Sequence, residues 1–285
     1  MKKSRKMIIA GVIVAAIGVV VLLCAVGMSG CNFEDVNNWQ ESAYNATATV
    51  ERLNIKVNWG QVVVNRGETD KISVKYEFND RYAPKFEENN GKLNIETSQK
   101  RWYEFGIWIE RAPRMEITVP QNVALSELHL TLNAGTVEFG GGRWCEAMSV
   151  KINAGTVTMG EVLVGEFDAK LNAGAIQIQK IDCTKFNCKL NAGAFDVNEV
   201  ICQEFDCEMN AGGVNVKKLD SSSSIKLKLS AGGATLGLAG AQSDYNVSVS
   251  KSAGSCNVSA QTSATATRTL SVSLSAGSVN VSFGK

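Results

Sequence analysis

Hydrophobic and polar residues alternate in short runs along this chain, and the runs recur at a nearly constant interval. An apolar residue stands two and four positions after a recurring Gly, as at Val157 and Met159. Others stand five, three and one positions before the next Asn, as at Phe186, Cys188 and Leu190. Because a period of two is typical of strands, each repeat predicts two short strands joined by a corner. The corners are Asn133–Gly135, Asn153–Gly155, Asn172–Gly174, Asn191–Gly193 and Asn210–Gly212, continued by Ser-Ala-Gly at Ser230, Ser252 and Ser275.

Neither strand of a repeat can bury its apolar face alone, so the repeats must stack on one another. We therefore predict an all-β fold, a β-solenoid with coils of 19 to 23 residues. At about 4.8 Å per coil, the eight repeats would form a rod of about 38 Å. Each corner Gly is expected to have positive φ, so that Gly174→Val should damage a coil. The corner Asn side chains are expected to form a structural ladder, rather than a ligand site.

A degenerate form of the repeat precedes the regular one. Asn58 and Gly60, followed by apolar residues two and four positions later, reproduce the corner, and Asn90 and Gly91 resemble it. We therefore interpret residues 47–128 as an irregular, strand-rich start and residues 129–285 as the regular solenoid.

The N-terminal residues have a different character. Residues 1–6 are basic, and residues 7–28 form a 22-residue uncharged stretch, long enough as a helix of about 33 Å to cross a bilayer. Positive flanks stay in the cytoplasm, which predicts an exported C-terminal part after a linker at residues 29–46. Alternatively, the residues ending at Cys31 resemble a lipobox, which would make Cys31 the lipidated first residue of a lipoprotein. Both alternatives place the solenoid outside the cell membrane.

The charge of the exported part argues against nucleic acid as a partner. Taking the four basic residues of 1–6 from the 29 in the chain leaves 25, against 28 acidic residues, a net charge of −3. Such a domain lacks the basic footprint that binds phosphates by counterion release.

The chemistry-bearing residues do not form a catalytic pattern. His129 is the single histidine, which excludes a His-based triad and a multi-His metal site. Carboxylates such as Glu138, Glu161, Glu166 and Asp168 fall on the polar alternates of strands, which are solvated faces. We therefore predict no enzyme, no catalytic residue, no metal site and no cofactor.

Five of the cysteines occupy apolar slots of the repeat, which marks them as small buried hydrophobes. Neighbouring coils would nevertheless bring Cys183 near Cys202 and Cys188 near Cys207, close enough to leave open whether either pair is bridged.

An aromatic cluster lies between the irregular and the regular parts, at Trp102, Tyr103, Phe105 and Trp108. Exposed aromatic residues bind sugars, lipid headgroups and protein hot spots, so this segment is a possible ligand contact. The alternative, which we favour, is that it caps the open end of the apolar core.

The order of elements resembles the bacterial putative adhesin family, a domain of unknown function common in envelope proteins of Gram-positive bacteria. The resemblance rests on an early hairpin from Val62 to Tyr76 around Gly67, on the segment Ile117 to Pro120, and on the Gly-centred repeats. It implies a solenoid at the cell envelope and transfers no functional residue.

Three hypotheses about function follow. The first is a noncatalytic module for surface binding, adhesion or scaffolding, whose partners are the membrane, through the N-terminal helix, and an unidentified envelope component or protein. The second is a sensor or regulator of envelope stress that acts through its membrane segment. The third is a polysaccharide-active enzyme, which coils with short corners disfavour because they leave no long loops for a cleft.

Overall fold

The structure is a computed structural model that describes residues 39–79, 82–99 and 112–284. Regular structure in these ranges is β-strand, apart from one turn of 3-10 helix at Gln242–Asp244, which confirms the all-β prediction. No helix in the described ranges has the length and apolar character needed to span a membrane. The predicted membrane segment at residues 7–28, and Cys31, lie outside these ranges.

The strands are short in the first part of the chain and longer where one strand continues around a side of the solenoid. Their bounds are β1 (Gln40–Asn45), β2 (Arg52–Val57), β3 (Gln61–Gly67), β4 (Ser73–Phe78), β5 (Lys85–Asn89), β6 (Lys92–Glu96), β7 (Arg114–Pro120), β8 (Leu125–Leu132), β9 (Thr136–Phe139), β10 (Gly142–Ile152), β11 (Thr156–Leu171), β12 (Ala175–Asp182), β13 (Lys185–Leu190), β14 (Ala194–Met209), β15 (Gly213–Leu229), β16 (Gly233–Leu238), β17 (Tyr245–Lys251), β18 (Ser255–Cys256), β19 (Arg268–Leu274) and β20 (Ser278–Phe283).

Consecutive coils pair in parallel with an offset of one repeat, so residues in the same slot stack. Leu171 lies opposite Leu190, and Leu190 lies opposite Met209. The rings of Phe167, Phe186 and Phe205 form a column with centroids 5.2 and 4.9 Å apart. This parallel stacking of equivalent slots confirms the β-solenoid.

The degenerate repeat at Asn58 also forms a coil. Strands β2 and β3 pair in parallel with β8 and β9, which sets Leu53 opposite Leu128 and Val62 opposite Val137. The apolar core then continues through every coil, and its buried members extend from Ala46 to Val281.

Two expectations about the first part of the chain are wrong. Asn90 and Gly91, with φ of 49° and 70°, form the tight turn of an antiparallel hairpin between β5 and β6, and not a solenoid corner. Leu93 consequently lies opposite Leu53, which stands five positions before the corner residue Asn58, and not two positions after a corner Gly. The expected hairpin around Gly67 does not form either, because β7 lies between β3 and β4, parallel to the first and antiparallel to the second.

Chain order and spatial order differ at both ends of the solenoid. The β2–β3 coil lies between β6–β7 and β8–β9, and the β19–β20 coil lies between β15–β16 and β17–β18. A charge explains the arrangement at the C-terminal end. Lys251 pairs with Leu274, in a slot that is apolar in the other regular coils. Only in the outermost coil can a charged side chain in that slot remain exposed, as Lys251 does.

Candidate binding surface along the repeat corners

The corners stack so closely that only glycine fits their third position. Gly174 has φ of +121°, and a Cβ added there would lie 2.1 Å from the carbonyl oxygen of Gly155. That oxygen accepts a hydrogen bond of 3.0 Å from Ala175 N–H, so it is fixed in place. The same close approach recurs at Gly135, Gly155, Gly193, Gly212, Gly232, Gly254 and Gly277.

The corner Asn side chains form a hydrogen-bonded ladder. The Nδ2 of Asn172 donates to Oδ1 of Asn153 at 2.7 Å, and the Nδ2 of Asn191 donates to Oδ1 of Asn172 at 2.9 Å. The ladder begins at Asn58, whose Oδ1 accepts from Asn133, and continues to Asn210. From Asn133 to Asn210, each amide uses one of its two N–H groups in this chain of bonds, so one donor is left over in each of these coils.

A column of lysines runs beside this ladder, two residues before each Asn. Lys151 lies opposite Lys170, and Lys170 lies opposite Lys189. All three are exposed, and the side chains of Lys170 and Lys189 are each 59% accessible. The run is bounded by Thr131 on one side and by Glu208 on the other.

Few carboxylates balance this column. Lys170 Nζ lies 3.6 Å from Asp168, and Lys189 Nζ lies 3.3 Å from Glu208. Among the described residues, no carboxylate lies within ion-pair distance of Lys151. Like charges directly opposite one another on adjacent strands destabilise a sheet, so the column is unfavourable for folding.

Other charged columns of the same solenoid alternate in sign. One column runs Glu161, Lys180, Glu199, Lys218, with ion pairs of 3.4 Å and 2.7 Å on either side of Glu199. These pairs lower the pKa of Glu199, chiefly through its hydrogen bond with Lys218. Another column runs Glu166, Lys185, Glu204. The lysine column therefore departs from an arrangement that this fold readily forms.

The two sides of the lysine column differ in charge. The next outward-facing column of the same strands contains acidic residues, Asp168 and Asp206. Across the corner, the first outward positions are neutral and small, at Thr156, Ala175 and Ala194. We define the corner strip as Lys151, Lys170 and Lys189 with the neighbouring Asn153, Asn172 and Asn191.

A concave feature lies on another side of the solenoid. This open groove of about 480 Å³ is lined by residues that include Cys183, Cys202, Asp220 and Arg268. The Arg268 guanidinium lies 3.5 Å from the Asp220 carboxylate, across the junction with the inserted β19–β20 coil. The groove is wide and shallow, and its two thiols are almost completely buried at its floor.

The cysteines whose bridging the sequence left open are free thiols. Cys188 lies directly opposite Cys207, and Cys183 and Cys202 lie in neighbouring coils next to the paired residues Asp182 and Ile201. Burial raises the pKa of Cys183 and Cys188 and raises the pKa of Cys202 to about 12. Thiols with such pKa values are protonated and unreactive at neutral pH, as expected of small core residues.

The remaining candidates of the sequence analysis lie apart. His129 is outward-facing on β8, and its Nε2 lies 3.2 Å from Glu127. Glu138 lies on β9, while Glu161, Glu166 and Asp168 lie at separate outward positions of β11. Within the described part of the chain, no three His, Cys, Asp or Glu residues are placed to hold a metal ion. Trp102, Tyr103, Phe105 and Trp108 lie outside the described residues.

Sequence reasoning missed two features of the structure, the lysine column and the contacts of Arg66. The lysines recur at 19-residue intervals, a visible signal, but their meaning depends on which residues lie opposite in adjacent coils. Arg66 gave no sequence signal. Its guanidinium donates to the carbonyls of Pro120, Val123 and Trp144 and lies 4.8 Å from the Trp144 ring centre, which ties the first coil to the regular ones.

Comparison with known proteins gives one match to a family. The model described as Toastrack DUF4097 matches residues 50–282. No curated protein matches the chain.

Solved structures that match this chain share little sequence with it. A putative adhesin from Bacteroides fragilis is 9% identical, with a TM-score of 0.49, over 86% of this chain and 97% of that one. A putative cell adhesion protein from Clostridium sporogenes is 14% identical, with a TM-score of 0.31, over 86% and 100% of the two chains. A putative lipid binding protein from Parabacteroides distasonis is 13% identical, with a TM-score of 0.32, over 85% and 97%.

Proposed function

The chain belongs to the Toastrack DUF4097 family, and we propose that it is a noncatalytic binding module held at the outer face of a bacterial membrane. Residues 7–28 serve as its anchor in this proposal, and its partner is a component of the cell envelope. The solenoid presents that partner with a surface, and not with an enclosed site.

One observation carries the proposal, namely that outward side chains form in-register columns at the spacing of the coils. A slot of the repeat places its side chains about 4.8 Å apart along the axis, and in the Asn and Lys columns these side chains are chemically alike. A surface of this kind suits a partner that is itself extended or repetitive. Enzyme sites, by contrast, are concave and bring together a few reactive groups with perturbed pKa values. The open groove does not support such a site, because the thiols at its floor are protonated.

The test is retention of envelope components by the full-length chain, purified in a nonionic detergent and immobilised. Peptidoglycan sacculi that retain their attached anionic polymers, sacculi stripped of those polymers, and a detergent extract of membranes are passed over it. We expect saturable retention of at least one sacculus preparation. If correctly folded protein retains none of the three, the binding function is wrong.

Variants Trp102→Ala and Trp108→Ala address the aromatic segment in the same assay. If that segment is a contact for the partner, retention falls while the thermal unfolding midpoint is unchanged. If it caps the core, the unfolding midpoint falls, and retention follows the folded fraction.

A further inference from the structure

The corner strip has a stability cost that the fold could have avoided. Lys151, Lys170 and Lys189 stand opposite one another in three consecutive coils, at a spacing of about 4.8 Å. Two other columns of the solenoid place Glu and Lys alternately at the same spacing. A Glu in place of Lys170 would give the lysine column the same alternation. Asp168 and Glu208 offset part of the charge of Lys170 and Lys189, and the like charges that remain are best explained by a ligand that supplies further negative charge.

The groups beside the lysines are hydrogen-bond donors. The ladder bonds of Asn153, Asn172 and Asn191 use one N–H of each amide, which leaves a second N–H in each of these three coils. Ammonium and amide N–H donors at one spacing along one line match the oxygens of phosphate or carboxylate groups.

The strip is also narrow, and this restricts the shape of the ligand. On one side the neighbouring outward column reads Ser149, Asp168, Asn187 and Asp206, so a flat anionic surface that covers this face and the next coil would meet the charges of Asp168 and Asp206. The small neutral residues at Thr156, Ala175 and Ala194 leave room on the other side of the corner. A thread of negative charge can lie toward the neutral residues, where it meets a single carboxylate of the neighbouring column within the strip's three coils, Asp168, 3.6 Å from Lys170.

We propose that the corner strip binds a linear polyanion, a polymer with phosphate or carboxylate groups along its backbone, aligned with the solenoid axis. This inference rests on the proposed binding function and names the chemical class of its partner. Three lysines define the contact, so the footprint on the polymer is about 10 Å long.

The test measures binding of fluorescently labelled long-chain polyphosphate to the full-length chain in nonionic detergent, by anisotropy, across a salt series. With three lysine contacts, the logarithm of the affinity should fall with the logarithm of salt with a slope of about −2, or about 20-fold between 50 and 200 mM salt. Poly-L-glutamate of similar charge number is the carboxylate probe, and dextran is the uncharged one.

The variant Lys151→Gln/Lys170→Gln/Lys189→Gln removes the strip's charges, and Lys180→Gln/Lys217→Gln/Lys218→Gln removes three charges elsewhere. The first should lose polyphosphate binding and most of the salt dependence. The second should keep both. Loss of mutual repulsion should also leave the strip variant at least as stable as the parent at low salt, which separates lost binding from misfolding.

Four results would overturn the proposal. The parent could bind neither polyphosphate nor poly-L-glutamate. Both triple variants could lose binding equally, which would indicate that binding depends on the net charge of the protein and not on the strip. Tripolyphosphate or dihexanoyl phosphatidylglycerol could also compete as well per charge as the polymer, which would make the ligand a single headgroup and not a thread. If strip-variant protein still retains sacculi, the polyanion inference fails while the binding module stands.

Discussion

Replacement of Gly174 by alanine tests the stacked corner, on which both the fold and the candidate surface depend. The new Cβ would lie 2.1 Å from Gly155 O and 3.0 Å from Gly155 N, both of which are backbone atoms that cannot rotate away. At φ of +121° an L-residue is also strained by about 1–3 kcal/mol. Separating the two coils enough to relieve the contact would weaken the Ala175–Gly155 hydrogen bond, for about 1 kcal/mol more. We expect Gly174→Ala to lower the free energy of unfolding by roughly 2–4 kcal/mol.

The matched control is Gly213→Ala, at a position one residue beyond a corner. An added Cβ at Gly213 meets no atom within 4 Å, and Ala194 already occupies the equivalent place in the preceding coil. This variant should be neutral or more stable by about 0.4–1 kcal/mol, because alanine restricts the unfolded chain. Guanidinium chloride unfolding followed by far-ultraviolet circular dichroism measures both. A difference of less than about 1 kcal/mol between the two variants would refute the stacked-corner geometry.

Three further predictions concern the contacts that hold the coils together. Asn172→Ala breaks two ladder bonds and should cost about 1–2 kcal/mol in the same unfolding assay, while Asn198→Ala, an exposed change outside the ladder, should cost almost nothing. Arg66→Met leaves three backbone carbonyls without their donor and should lower the free energy of unfolding by about 3 kcal/mol. Arg66→Lys should recover part of this loss. Equal stability of Arg66→Met and the parent would contradict a stabilising role of Arg66. The pKa of Glu88 is lowered to about 2, first by its hydrogen bond with Tyr44 and then by those with Thr47 and Ala48, so its contribution is present above the unfolded pKa and lost as pH falls toward 2. Glu88→Gln should therefore flatten the loss of stability between about pH 4.5 and pH 2, and an acid limb identical to that of the parent would exclude the effect.

The regular part of the fold could be predicted from sequence because core and corner impose one register. A period of two fixes which side chains point inward, and a constant repeat length fixes which ones stack, as with Phe167, Phe186 and Phe205. The corner Gly adds a steric requirement at the same interval.

The ends could not be predicted in the same way. Coils with equivalent slots can stack in any order, so the repeat does not indicate that β19–β20 lies inside β17–β18. The discriminating signal is a single residue, Lys251, in an otherwise apolar slot. The Asn90–Gly91 pair was misleading because a two-residue hairpin turn and a solenoid corner both favour Asn and Gly, residues that tolerate positive φ.

The alternation that builds the solenoid also makes its surface adjustable. Inward positions must remain apolar in coils that are covered on both sides, whereas outward positions can change charge with little effect on packing, as the alternating and the all-lysine columns show. One exposed lysine contributes little to binding a polymer, because a single surface ion pair is worth only about 0–1 kcal/mol. Three lysines held at fixed spacing by a rigid core contact one polymer chain at the same time. Binding then costs little conformational entropy in the protein, because the backbone that holds the lysines is already ordered by folding. Because Thr131 and Glu208 end the lysine run, both affinity and footprint are set by three coils, and the rest of the solenoid provides the rigidity that keeps those coils in line.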